Sequence, residues 1–157
     1  MRMLRVPTLA LVVAASLVVA ASVLSVAASA QPGPRANHGA RPFHLEKNCI
    51  DYHGEIGQFC SVTSSNLPGI GVGAKIFYMQ PLGGASLDSD IVIYAGSGNT
   101  ATGHCELDLG TGLGLCTLSG GTGTLDKIHA RADVSHLGGF DWAWDGTYRF
   151  NNGRGGQ

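Results

Sequence analysis

Two cysteine pairs with the same spacing constrain this chain more than any other feature. Cys49 and Cys60 are eleven residues apart, and so are Cys105 and Cys116. Each pair lies in segments whose apolar residues alternate, as strand residues do. A two-residue hairpin turn at Gly110-Thr111 sets Cys105 opposite Cys116, Leu107 opposite Gly114 and Gly103 opposite Leu118. The same geometry around Gly54-Glu55 sets Cys49 opposite Cys60. Directly opposed strand residues bring their Cβ atoms close enough for a bridge. Four cysteines allow three connectivities. The shared register selects Cys49–Cys60 and Cys105–Cys116, each contributing about 2–3 kcal/mol.

The rest of the chain continues this pattern. Eight strands are predicted, over 44–53, 58–66, 73–80, 88–95, 99–109, 113–119, 124–136 and 140–150. Their connections are short and carry Gly, Pro or Asn, and no segment between them has a convincing helical stripe. Evenly spaced strands in meander order fit an all-β, eight-stranded antiparallel up-and-down β-barrel, whose closure removes exposed edges. For the last hairpin, a three-residue loop Leu137-Gly138-Gly139 pairs His136 with Phe140, Val134 with Trp142, Ala132 with Trp144 and Ile128 with Tyr148. Large residues then face small ones across the lumen. Lys127, His129, Arg131, Asp133, Asp141, Asp145 and Arg149 form the solvent face.

The N-terminus reads as an export signal. Arg2 and Arg5 precede an apolar run from Leu9 to about Ala28, and Ala28-Ser29-Ala30 has the form of a cleavage site. Residues 1–30 are therefore assigned to a cleaved signal peptide (the run is also long enough to span a bilayer as an uncleaved anchor), 31–43 to a flexible leader, 44–151 to the barrel and 152–157 to a disordered tail. Without the signal, eight basic residues stand against eleven acidic ones. No basic run marks a nucleic-acid surface, so that class of partner is set aside. Export and an even cysteine count agree on a secreted or periplasmic, disulfide-bonded protein.

Cys116-Thr117-Leu118-Ser119-Gly120-Gly121-Thr122-Gly123-Thr124-Leu125 resembles the strand–GG[ST]G–strand signature of dirigent proteins and allene oxide cyclases. With Trp144-Asp145-Gly146-Thr147-Tyr148 and Gly103-His104-Cys105, it is similar to exported bacterial proteins with an allene oxide cyclase barrel-like domain. The resemblance implies a calycin-like barrel, a lumen suited to a small apolar molecule, and a homo-oligomer, a trimer in the plant members. It transfers Gly120, Gly121, Thr122 and Gly123 as a structural turn. It transfers no catalytic residue, because the acid-bearing motifs of those enzymes have no counterpart here.

Other candidate sites are weaker. Gly120 to Gly123 and Gly69-Ile70-Gly71-Val72-Gly73 both lead into strands, so neither offers a phosphate the N-terminus of a helix. His104, Glu106 and Asp108 share one strand face, which reads as polar outer wall before it reads as a metal site. His129 and His136 have opposite parity, and His136 is placed at the barrel mouth. Asp88 and Asp90 share a face but fit a solvated strand start better than an acid pair. No Gly-x-Ser-x-Gly elbow exists. No metal and no cofactor is expected.

What remains is the lumen. Tyr78, Trp142, Trp144 and Tyr148 are the predicted ligand-lining residues. The leading expectation is a secreted protein that binds a small apolar molecule there, without catalysis. The alternatives are an isomerase or cyclase acting on an epoxide or unsaturated lipid, and a non-catalytic structural or interaction protein of the cell envelope.

Overall fold

Strict alternation of buried and exposed residues along short segments dictates the architecture. In the computed structural model, which describes residues 39–151, eight antiparallel strands close into one barrel in sequence order. They are β1 (Arg41–Asn48), β2 (Phe59–Ser65), β3 (Lys75–Tyr78), β4 (Ser86–Tyr94), β5 (Thr100–Asp108), β6 (Leu113–Thr122), β7 (Ile128–Gly138) and β8 (Asp141–Phe150). The assigned signal peptide, most of the leader and the tail lie outside the described residues. The leader boundary needs correction: β1 begins at Arg41, and Phe43 is already buried in the lumen.

Both disulfides form as the register requires. Cys105 pairs with Cys116 across β5 and β6, with Leu107 opposite Gly114 and Gly103 opposite Leu118. Cys49–Cys60 closes one step beyond the Asn48–Ser61 pair. The hairpin around it differs from the expected two-residue turn. Residues 49–58 form a loop held by their own side chains. Asn48 Oδ1 accepts from the Ile50 amide at 3.1 Å, and Gln58 Oε1 accepts from the amides of His53 and Glu55 at 2.6 and 3.1 Å. These local bonds replace a strand ladder.

The glycine-rich segment also differs. Gly120, Gly121 and Thr122 continue β6, and the turn is a single 3₁₀ turn, Gly123–Leu125. The register shifts between Thr102 and Gly103, leaving Ser119 as an extra bulged residue. Gly121 is forced by close approach: a Cβ there would lie 2.5 Å from the carbonyl oxygens of both Thr100 and Leu125. Gly123 takes φ +61° and opens the turn.

The last hairpin is slipped by two residues relative to expectation. Gly138 pairs with Asp141, so the turn is Gly139-Phe140 and Leu137 is bulged. His136 then faces Trp142, Val134 faces Trp144 and Ala130 faces Tyr148. A slip of two preserves which side each residue faces, so the aromatic face still points inward.

The barrel has two unlike ends. In a meander, successive hairpins turn back at alternate ends. The β2–β3 and β6–β7 connections bury Leu67, Ile70 and Leu125, which close one end as a floor. At the other end, the β1–β2 and β3–β4 loops bring half-buried Tyr52 and Leu82 against the core, with Cys49 buried at the loop's start. Of the eight exposed large hydrophobics among the described residues, six ring this second end. They are Ile50, Ile56, Met79, Leu113, Leu137 and Phe140, 42% to 62% exposed. We call this end the mouth.

Candidate functional site

β1 carries Phe43, Leu45 and Lys47 inward at strict two-residue intervals, and buried Cys49 follows just past its end. The third of these is a lysine, only 1% exposed, inside the lumen near the mouth. Its strand neighbours are Val62 on β2 and Trp142 on β8. Lys47 Nζ donates a hydrogen bond to the Tyr78 hydroxyl. It lies 4.8 Å from the centroid of the Trp144 ring and 5.2 Å from that of Tyr78. Among the described residues no carboxylate pairs with it.

A buried ammonium without a counter-ion is costly. Burial therefore lowers the Lys47 pKa from 10.5 to about 7, so the neutral amine is a major form at neutral pH. Burial, with neighbouring Tyr52 as a lesser cause, pushes the Tyr78 hydroxyl well above its usual range. Burial also raises Tyr52. The Tyr52 and Tyr78 rings pack at 4.5 Å, and the Cys60 sulfur lies 3.8 Å from the Tyr78 hydroxyl. The site is thus an amine that gives up its proton near neutral pH and a neutral phenol, in an aromatic enclosure beside the Cys49–Cys60 bridge.

Two polar atoms in this enclosure are unsatisfied. Trp144 Nε1 and the Tyr52 hydroxyl are buried without a hydrogen-bond partner. Buried donors are nearly always paired, and exceptions concentrate at functional sites. The roof is the 49–58 loop. It docks on the β3–β4 loop, where the Leu82 amide donates to the Gly54 carbonyl at 3.0 Å, and on β3, where the Gly57 amide donates to the Tyr78 carbonyl at 3.0 Å.

The four residues expected to line the lumen fall in three places. Tyr78 and Trp144 flank Lys47. Trp142 is half-buried at the mouth, its ring 4.6 Å from that of His136. Tyr148 lies deeper, against Phe43 and Phe150 at 6.3 and 5.9 Å. Lys47 and Tyr52 were not anticipated. The signal for Lys47 was its parity with Phe43, Leu45 and Cys49.

Apart from His136, the titratable residues weighed from sequence lie on the outer wall or its rim. His104 Nε2 is 3.1 Å from Asp88 and 3.7 Å from Glu106, and its Nδ1 is 3.0 Å from Asp90. His44 makes the same kind of cluster with Asp145 at 2.7 Å and Glu46 at 3.2 Å. The hydrogen bond to Asp90 raises the His104 pKa, and those to Asp145 and Glu46 raise that of His44. Asp108 instead caps its own turn, accepting from the Gly110 and Thr111 amides at 2.8 and 3.1 Å. His136 is at the mouth, its Nε2 3.0 Å from the Gly139 carbonyl oxygen. His129 borders an outer concavity of about 380 Å³ shared with Arg131 and Arg149. A second, of about 480 Å³, lies at the rim beside Asp88 and Leu113.

The two disulfides mark a protein that matures in an oxidising compartment. Among the described residues no helix is long and apolar enough to cross a membrane. Compared with family models, curated proteins and solved structures, the chain matches none.

Proposed function

We propose that this protein is an exported binding module that holds a small apolar molecule in the upper lumen, beside Lys47. The observation that carries this reading is the buried Lys47 amine, with no carboxylate partner among the described residues, sharing its enclosure with two unsatisfied polar atoms. Natural cores avoid each of these features, because each lowers stability. A ligand with an apolar body and one polar head satisfies all three groups at once. The apolar ring at the mouth supports the same reading, since it offers such a molecule a surface to land on.

The lumen is filled by side chains that form one continuous cluster. Loading therefore displaces Tyr52 and the 49–58 loop instead of filling a standing void. The disulfide fixes the two ends of this loop, so lifting its middle breaks the hydrogen bonds of Gly54 and Gly57 that dock it. Kinship with the allene oxide cyclase and dirigent barrels, and export by a cleaved signal, belong to the same proposal. The sequential eight-stranded meander and the disulfides support them.

The isomerase reading has one specific support. The hydrogen-bonded amine and phenol of Lys47 and Tyr78 form a couple able to move a proton in a dry site. Turnover of an unsaturated epoxide that disappears in Tyr78→Phe would favour it over simple binding.

The test is a titration of the oxidised protein with straight-chain alcohols, methyl esters and acids of increasing length. Tryptophan fluorescence and the thermal midpoint are followed together. A saturable, single-site response that weakens in Trp144→Leu supports lumen binding. A flat response across the series overturns it.

A further inference from the structure

Lys47 offers a ligand more than a polar contact. We infer that the upper lumen captures small apolar aldehydes, and that Lys47 Nζ bonds to their carbonyl carbon as a reversible imine. This rests on the reading of the upper lumen as a ligand site and names the chemical class of its occupant.

Three observations lead to a carbonyl compound. Nζ is enclosed by the Tyr78 and Trp144 rings, with no carboxylate among the described residues to hold it as an ammonium. A site that selects acids keeps its cation charged. Burial here favours the uncharged amine, which has a lone pair to give and little charge to offer. The second observation is the Tyr78 hydroxyl, hydrogen-bonded to Nζ and itself protonated. The third is Trp144 Nε1–H, a buried donor without an acceptor, on the ring against which Nζ lies. A carbonyl oxygen is an acceptor and brings no charge of its own to be desolvated.

The chemistry closes without a further reagent. The Nζ lone pair adds to the aldehyde carbon, and the carbonyl π pair becomes the lone pair of an alkoxide. Tyr78 donates its proton to that oxygen and recovers one from nitrogen, giving a neutral carbinolamine. The C–O bond then breaks, the hydroxyl leaves as water with the second nitrogen proton, and C=N forms. Amine plus aldehyde gives imine plus one water, and nothing is oxidised or reduced. Water re-entering the mouth reverses each step and releases the aldehyde.

The chain supplies its own controls. It has three lysines, and Lys75 and Lys127 are exposed. Decanal is the probe, and decan-1-ol is its unreactive counterpart. The oxidised full-length protein is incubated with each at neutral pH, and binding is followed by tryptophan fluorescence. Cyanoborohydride then traps any imine as a secondary amine, which peptide mass spectrometry assigns to a lysine.

The expected result is saturable binding of both probes. With decanal, Lys47 should be alkylated at least about tenfold more than Lys75 or Lys127, and excess decan-1-ol should suppress that adduct. Lys47→Arg, with circular dichroism to show that it folds, should lose the dominant adduct, while decan-1-ol binding to the parent protein shows that the site loads without a covalent step. Tyr78→Phe should slow trapping with less effect on decan-1-ol affinity. Binding of both probes without a preferred Lys47 adduct overturns the imine and leaves lumen binding standing. Adducts confined to Lys75, Lys127 or the chain terminus do the same. Failure of both probes to bind overturns the imine and the lumen site together.

Discussion

Lys47 and Tyr78 meet as donor and acceptor in the core of the barrel, one supplied by β1 and the other by the last residue of β3. Among the described residues no carboxylate pairs with the Lys47 amine, and burial drives both groups toward their neutral forms. The pair therefore links the protonation of the site to the stability of the fold.

The sign of that linkage follows from the Lys47 amine. Its pKa is about 7 in the fold, against 10.5 in the unfolded chain. Between those values the unfolded chain binds more protons, so unfolding free energy rises with pH. The rise ends above about pH 10, where tyrosines ionise first in the unfolded chain. Lys47→Met should flatten the profile and stabilise the protein by roughly 2 kcal/mol at pH 6, even though Tyr78 loses its partner. Urea denaturation of both proteins across this range checks it. Parallel profiles would mean that Lys47 is solvated in solution.

The outer-wall histidine should act with the opposite sign. The Asp90 hydrogen bond raises the folded pKa of His104 above 6.5. Its contribution is complete below that unfolded value and fades as pH rises through the folded one. The cluster is open to solvent, so the effect should stay within about 1 kcal/mol. Comparing His104→Gln with the parent at acid and alkaline pH reads it. A difference that grows with pH would contradict this assignment.

The two disulfides should be separable by what they guard. Removing either as a double alanine variant should cost about 2–3 kcal/mol. Only Cys49→Ala with Cys60→Ala frees the loop that roofs Lys47. That variant should raise acylation of Lys47 by an N-hydroxysuccinimide ester several-fold, measured by peptide mass spectrometry. Cys105→Ala with Cys116→Ala should leave the Lys47 rate near that of the parent. Equal acceleration in both variants would show global loosening instead.

Gly121 offers a test of the β6 seam. Its position between two carbonyl oxygens leaves no room for a methyl group. Gly121→Ala should cost roughly 1–3 kcal/mol, while Gly71→Ala, where a Cβ meets nothing within 4 Å, should stay near zero. Thermal denaturation of the two variants provides the comparison.

How much of this was legible depends on what each residue type reveals. The inward parity of Cys105, Leu107, Cys116 and Leu118 is written in apolar alternation, and it yielded the β5–β6 register directly. The β7–β8 hairpin was harder. Gly138 and Gly139 both tolerate positive φ, so sequence leaves open which of them turns the chain, and a two-residue slip hides nothing from solvent. The β1–β2 loop depends on side-chain bonds from Asn48 and Gln58, which alternation does not register. Lys47 was missed because composition counts every lysine as surface. Its neighbours Phe43, Leu45 and Cys49 already argued otherwise, and a charged residue on the apolar parity of a strand is the feature to seek in such chains.

The unlike ends of the barrel also fix how it can be carried. β1 leaves the floor at Arg41 and β8 returns to it at Phe150, so the first and last strands both meet the rest of the polypeptide at the sealed end. A tether joined to the barrel at Arg41 or at Phe150 therefore starts from the floor, on the side away from the mouth.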